Sequence, residues 1–481
     1  MNRIITLLLA VVLTPSFAQE IYKPFSVERE AVPKGGPAWL EKFIEVNRRM
    51  PYSAEVRKIK GVTFVSGVVE PDGSVSALRV TRSFDPACDR EAMRVLKLFK
   101  AWQPALKEGK PVRQEFTYAV RFSPQLIGAE PDRIVAYYDK QQQLVVDEAQ
   151  AAYQIIAPVD SLGYPTAGST IYERRGKGWK EREKYAFSEK EKFIDNPDKT
   201  SDTDSIRVKH IFIRFMGRLQ GEQYSYYPDG SLFAVRRYDM GRPAGKSRYY
   251  YPNGVVKREE EQLGEDKVRI WNWYSNGQIK QIMIQQASKG EFSDQTELLS
   301  QWDASGNQRV KDGQGVARFE SQVEDEGRLI EEGRVFDGKR DSIWVGKVEG
   351  RPFYRETYSN GLCLGGVSFT TTGDSTVYKQ SVQSAEFKGG KEALYQFLGQ
   401  TMRYPPEAAR NQIKGQVIVS FVVCTDGTLC DYEASGLEEE SLKKEAVRVV
   451  KAMNGRWTPS IRHGKPVRTL FNLPINFDLQ Y

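Results

Sequence analysis

Apolar and polar residues alternate along the last fifteen residues of the chain. Val467, Thr469, Phe471, Leu473, Ile475, Phe477 and Leu479 share one face and Arg468, Asn472, Asn476 and Asp478 the other, which predicts a strand packed on one side only. Upstream, Leu442, Ala446, Val449, Val450 and Met453 form a helical stripe. Glu438 to Glu440 stand at its start and Lys451 toward its end, as the helix dipole favours. A second alternating run, Gln416 to Val423, ends at an Asp426-Gly427 turn. Together these elements predict an α+β module over 383–481, a small antiparallel sheet with helices on one face.

The same pattern occurs near the start of the chain. Gly35-Gly36, Phe43, Pro51, Gly61, Val65, Val69 and Asp72-Gly73 recur 354 positions later, and Trp102-Gln-Pro104 and Gly109-Lys-Pro-Val112 recur 355 later. A one-residue indel between two copies of one module accounts for both offsets, and places the divergent copy at 20–125. In this copy Met50 stands where the later one has Tyr404, and Gly67 replaces Phe421, which should weaken a central strand. Its last strand, Arg113 to Phe122, lacks the proline found at 474. A different partner preference follows, and a structural or self-associating role would make a homo-oligomer one expected partner.

Between the modules, 133–380 is polar, tyrosine-rich and broken by turns. Tyr226-Tyr-Pro-Asp-Gly230, Tyr250-Tyr-Pro-Asn-Gly254, Trp273-Tyr-Ser-Asn-Gly277 and Thr357-Tyr-Ser-Asn-Gly361 share one pattern, the first three glycines lying 24 and 23 residues apart. Asp-Gly and Asn-Gly suit tight hairpins in which both central residues take positive φ. Trp302-Asp-Ala-Ser-Gly306 and the stretch around Gly333, Gly338 and Trp344 read as degraded members. This region resembles MORN-type repeats with a Tyr-x-x-Gly turn. A lone hairpin cannot bury its apolar face, so an all-β hairpin repeat array is expected. The aromatics read as cross-strand and inter-repeat packing, with a glycan- or lipid-binding groove as the alternative.

The tail carries its motifs in a fixed order: Gly389-Gly390, a helical run from Glu392 to Thr401, Tyr404-Pro405, the strand to Val423, Asp426-Gly427, the amphipathic helix, Trp457-Thr-Pro459, Gly464-Lys-Pro-Val467 and the final strand. This order resembles the C-terminal domain of TonB-type energy transducers. The resemblance implies a cell-envelope protein that binds an outer-membrane receptor peptide, or another envelope protein, and takes part in TonB-dependent transport. The receptor strand would add to the last strand. Pro474 cannot donate to a ladder, so it marks that strand as an edge and leaves the backbone groups of Asn472 and Asn476 facing outward. Arg403, Tyr404 and Pro405 match the family motif that precedes the first strand and contributes to receptor contact; Tyr404 reads equally well as a core cap. An adaptor scaffold built on the repeats is the alternative function.

Composition and targeting narrow the field. The chain has 481 residues, which suits about three domains of ~150 residues. Arg3, the apolar run Ile4 to Leu13 and Ser16-Phe17-Ala18 read as a signal peptide over 1–18, short of the ~20 apolar residues of a membrane span. Cleavage would leave a periplasmic protein; retention would leave an inner-membrane anchor, which a true transducer requires. The 70 basic and 63 acidic residues are interspersed, and no segment joins Lys and Arg to base-stacking aromatics, so nucleic acid is not expected as a partner. His210 and His463 have no companions at metal-ligand spacing, and His463, in a hairpin turn, reads as solvated. No nucleophile elbow or phosphate loop occurs, so neither catalysis nor a cofactor is expected. Cys424 and Cys430 flank the Asp426-Gly427 turn. A three-residue loop would set them opposite each other as a disulfide, whereas a two-residue loop would pair Val423 with Cys430; Cys88 and Cys363 read as unpaired.

Overall fold

The computed structural model describes residues 20–185, 188–195, 205–212, 214–215, 218–219, 221–239, 241–264, 266–286, 296–323, 326–437 and 439–478. The signal-peptide reading of 1–18, Glu438 and Leu479 lie outside these residues. Two α+β modules flank a large antiparallel β region. Among the described residues no helix is long and apolar enough to cross a membrane.

In the C-terminal module the strands Leu429–Gly436, Gly415–Val423 and Thr469–Phe477 form one sheet in that order. The alternation seen in the sequence sets its two faces. Leu473, Ile475 and Phe477 are buried with Val417, Val419 and Phe421 beneath the helix Glu440–Lys451, whose Leu442, Ala446, Val449 and Val450 close the core. Trp457 is buried in the same cluster, edge-on to Phe471 at 4.7 Å. The N-terminal module repeats the layout with Gly61–Val69, Val75–Arg82 and Lys110–Phe122 beneath Pro37–Asn47 and Pro86–Leu98. Gly67 does not interrupt its strand. The space where a Cβ would sit is taken by the Phe116 and Leu78 side chains, so a neighbour's ring replaces the missing one.

The single array expected between the modules is built, among the described residues, as two main sheets and a separate two-stranded ribbon, Arg214–Phe215 with Arg218–Leu219. Six short strands between Ala129 and Tyr185 make the first, and seventeen strands between Ser188 and Tyr378 make the second, a nearly continuous meander. The turns at Gly230, Gly254, Gly277 and Gly306 differ from the expected type. Only the glycine has positive φ (82°, 83°, 92° and 94°), so these are longer loops closed by a left-handed glycine. The residue before each glycine, or the aspartate three before Gly306, accepts an amide two positions on: Asp229 from Ser231, Asn253 from Val255, Asn276 from Gln278 and Asp303 from Ser305. Asn360-Gly361, with φ of 48° and 85°, is a tight two-residue loop, as are Asp312-Gly313, Asp337-Gly338 and Glu349-Gly350 in the same sheet.

Tyrosine hydroxyls tie consecutive repeats together. Tyr227 donates to the Tyr250 carbonyl at 2.9 Å, Tyr251 to Trp273 at 2.9 Å and Tyr274 to Trp302 at 3.1 Å. Further along, strand glycines face rings across the ladder: Gly333 faces Trp344, Gly346 faces Tyr354 and Gly366 faces Tyr378. The repeat aromatics therefore do structural work of the kind expected from cross-strand packing.

Candidate functional site at the edge of the C-terminal sheet

Thr469–Phe477 pairs with Gly415–Val423 on one side and, among the described residues, with no strand on the other. Pro474 sits opposite Ile418, and its lack of an N–H is tolerated because the outer side of an edge needs no ladder bond. Asn472, Pro474 and Asn476 are all exposed, alternating with the buried Leu473, Ile475 and Phe477. Inward along the sheet, Asn476 accepts from the Gln416 amide at 2.8 Å and Asn472 from the Ser420 hydroxyl at 2.7 Å. These side-chain bonds hold the strand flat against its one neighbour and leave its outer backbone groups to solvent.

Arg403, Tyr404 and Pro405 lie together on the chain that leads into this sheet. Tyr404 stands edge-on to Phe477 at 5.9 Å and donates its hydroxyl to the Ile413 carbonyl, so it acts as a core cap at the far end of the edge strand. Pro405 is the N-cap of the short helix Pro406–Arg410. Arg403 is exposed, and its amide donates to Glu445 at 2.6 Å. Arg49 and Glu91 make the matching bond, also 2.6 Å, in the earlier copy.

Residues 46–124 and 400–479 each match the family described as Gram-negative bacterial TonB protein C-terminal, and residues 219–239 and 244–261 match the MORN repeat variant. The chain carries two TonB C-terminal domains flanking MORN repeats. A TonB C-terminal domain implies a cell-envelope location and interaction with an outer-membrane receptor, and neither matched family is catalytic. No curated protein matches the chain.

The two TonB domains are anchored to the repeats in different ways. In the N-terminal domain, Asn47 is buried and accepts the Val256 amide at 2.7 Å while donating to Phe43 in its own helix at 2.9 Å. Phe43 and Phe99 close over Gly277, where a Cβ would come within 2.7 Å of the Phe43 ring, and Trp39 meets Trp302 edge-on at 5.0 Å. Lys42 reaches the buried Glu259 at 3.1 Å. Burial pushes this carboxyl up, yet Arg248 and Lys42 hold it below its ordinary range.

The C-terminal TonB domain docks through the hairpin of Ser460–Arg462 and Lys465–Val467, and here the reading of His463 as solvated is corrected. His463 is 4% exposed, lies flat on Tyr354 at 3.8 Å between ring centres, and places Nδ1 2.8 Å from the Glu356 carboxylate. The turn, with φ of 50° at His463 and 72° at Gly464, lies against Tyr378 and is covered by the repeats. Glu356 also accepts from Tyr358 at 2.7 Å and Tyr378 at 2.8 Å. Burial pushes the Glu356 carboxyl up, but His463 and the two tyrosine hydroxyls bring it below the usual carboxylate range. Lys465 adds a pair with Glu326 at 3.2 Å and sits 4.0 Å over the Phe353 ring.

His210, the other histidine, is also buried, with Nδ1 2.7 Å from the Ser225 hydroxyl inside the repeat sheet. The cysteines follow neither expected register. Val423 pairs with Leu429 and Val422 with Cys430 after a bulge at Ser420/Val422, which leaves Cys424 diagonal to Cys430. Both thiols are free, with their sulfurs 3.0 Å apart. Cys88 is buried in the N-terminal core, and burial pushes its thiol up to about 12.

Proposed function

We propose that the chain is a cell-envelope binding protein whose C-terminal TonB domain takes an extended segment of an outer-membrane receptor, or of another envelope protein, by strand addition along Thr469–Phe477. The observation that carries this reading is the edge itself: a nine-residue strand with an apolar inner face, an exposed Asn472-x-Pro474-x-Asn476 row and no outer neighbour among the described residues. Main-chain bonds would supply affinity, and the exposed row would contact alternate side chains of the incoming strand. Arg403 and Pro405 flank the far end of the edge, with Tyr404 supporting it from the core. The repeats and the N-terminal domain serve as the scaffold that holds this edge. Transport follows if the bound receptor is a transporting one.

Asn476→Pro removes one outward donor and leaves the apolar face intact, whereas Asn476→Ala keeps the donor. The proline variant of the full chain should bind a receptor N-terminal peptide more weakly by ~1 kcal/mol or more, with the alanine variant near wild type. Calorimetric titration measures the difference, and circular dichroism checks that each variant is folded. Equal binding by both variants, or none by the wild type, would remove strand addition and leave the adaptor-scaffold reading.

A further inference from the structure

The cysteine pair occupies a position that both TonB domains use to staple two strands. In the N-terminal domain the residues equivalent to Cys424 and Cys430 are Glu70 and Ser76. Ser76 donates its hydroxyl to the Glu70 carboxylate, which also pairs with Arg113 at 2.8 Å. The residue equivalent to Arg113 is Arg468, and its guanidinium lies 3.6 Å from the Cys430 sulfur and 3.1 Å from Asp431. Even the backbone bend is shared, with φ of 48° at Ala77 and 54° at Asp431. One fold therefore has one cross-strand staple, set beside the first residues of its last strand: Val69 pairs with Gln114, and Val423 with Thr469. In the N-terminal domain the staple is a carboxylate and a hydroxyl, which oxidants do not change. In the C-terminal domain it is two partly exposed thiols with sulfurs 3.0 Å apart.

We propose that Cys424 and Cys430 form a reversible dithiol–disulfide pair, a modification site whose oxidation state sets how firmly the start of the edge strand Thr469–Phe477 is held. The oxidant is a small-molecule or protein disulfide, as the envelope provides. The Cys424 thiolate attacks one sulfur of that disulfide, giving a mixed disulfide and releasing the first thiol. The Cys430 thiolate then attacks the Cys424 sulfur, forming the internal bond and releasing the second thiol; two electrons and two protons leave with the external pair. Burial, the hydrogen bond with Cys424 and the adjacent Asp431 push the Cys430 thiol up to about 11 against the pull of Arg468, and the exchange balances with the two cysteines in either order. Oxidation replaces a thiol contact with a bond beside Arg468, whose pairing with Asp431 is kept. The consequence for partner binding rests on the strand-addition reading; the chemistry does not.

The full chain should be incubated with oxidised glutathione, alkylated natively and digested with trypsin, since peptide 415–443 carries both cysteines and no internal cleavage site. It should be recovered unalkylated and two hydrogens lighter, and doubly alkylated once dithiothreitol is added. Recovery as the doubly alkylated peptide after oxidation, or as a stable glutathione adduct, would overturn the pair. Amide exchange over 468–478 should be about tenfold slower in the oxidised protein than in the reduced one. Cys424→Ser/Cys430→Ser should abolish that difference, and Cys424→Glu/Cys430→Ser, which rebuilds the N-terminal staple, should exchange at one rate under both conditions. Equal exchange of oxidised and reduced wild type would overturn the coupling to the edge strand. If the crosslink and exchange respond while no receptor peptide binds in either state, strand addition fails and the redox staple stands.

Discussion

In the N-terminal TonB domain the helix Pro37–Asn47 and Phe99 lie over the repeat turns at Gly277 and its neighbours, while the hairpin at Glu108-Gly109 stays exposed and bonds to Glu28 within the domain. The C-terminal domain reverses this arrangement. Its hairpin at His463-Gly464 is buried in the repeats, and its first helix, Gly390–Thr401, shows Tyr395 at 67% exposed and a half-buried Phe397 beneath Arg456. The last strands differ as well. Ile21–Tyr22 runs parallel to the start of Lys110–Phe122, whereas Thr469–Phe477 has no such cover among the described residues. One fold can thus be fixed to a scaffold by either end. Which end is fixed, and whether the chain fills its own edge, decides how much of the last strand is left for another molecule.

The largest test of this difference is at the first helix. Phe43→Ala should destabilise the full chain by ~3–5 kcal/mol, because it opens a cavity in the domain core and at the junction with Gly277 together. Phe397→Ala, partly solvated, should cost less than half as much; equal losses in denaturant midpoints would show that the two helices carry equal loads. The hairpins should behave in the opposite sense. His463→Ala leaves the buried Glu356 short of one partner and should cost ~2–3 kcal/mol, against less than ~0.5 kcal/mol for Glu108→Ala.

A smaller effect is the pH dependence of the C-terminal docking. The Glu356 carboxyl is depressed in the folded protein, so its contribution is present above the ordinary carboxylate range and is lost as the pH falls through that range and below it. Glu356→Gln should flatten this part of the acid stability profile, measured by tryptophan fluorescence between neutral and acidic pH. An unchanged acid slope would place the sensitivity elsewhere.

Much of the C-terminal domain was legible in its pattern, because one-sided strands and an amphipathic helix record burial in their own periodicity. Pro474 marked the edge for the same local reason: a missing donor is a property of one residue. The position of His463 was not legible. Its partner Glu356 is 107 residues away, and a turn histidine looks the same whether water or another domain covers it. The cysteine register escaped through the turn: Cys424 pairs with Thr428 around a loop closed by Gly427 (φ 81°), so Val422 rather than Val423 or Cys424 stands opposite Cys430. Turn type also depended on context: Asn276-Gly277 and Asn360-Gly361 are the same dipeptide, yet only the second is a two-residue loop.

The tyrosine-stapled repeats also turn chain length into distance. From the turn at Tyr227 to that at Tyr251, and again to that at Tyr274, the chain adds one ascending and one descending run of strand. Neighbouring strands lie ~4.8 Å apart, so each such unit is a step of about 10 Å across the sheet. Lengthening the array by a whole unit would shift the C-terminal edge by that step and rotate it by the sheet's twist of ~20–25° per strand, with the alternation of side-chain faces preserved. A change of one residue within a strand would reverse which side chains meet the docked domains. The array is a ruler with discrete graduations, and the TonB domains are clamped to two different marks on it.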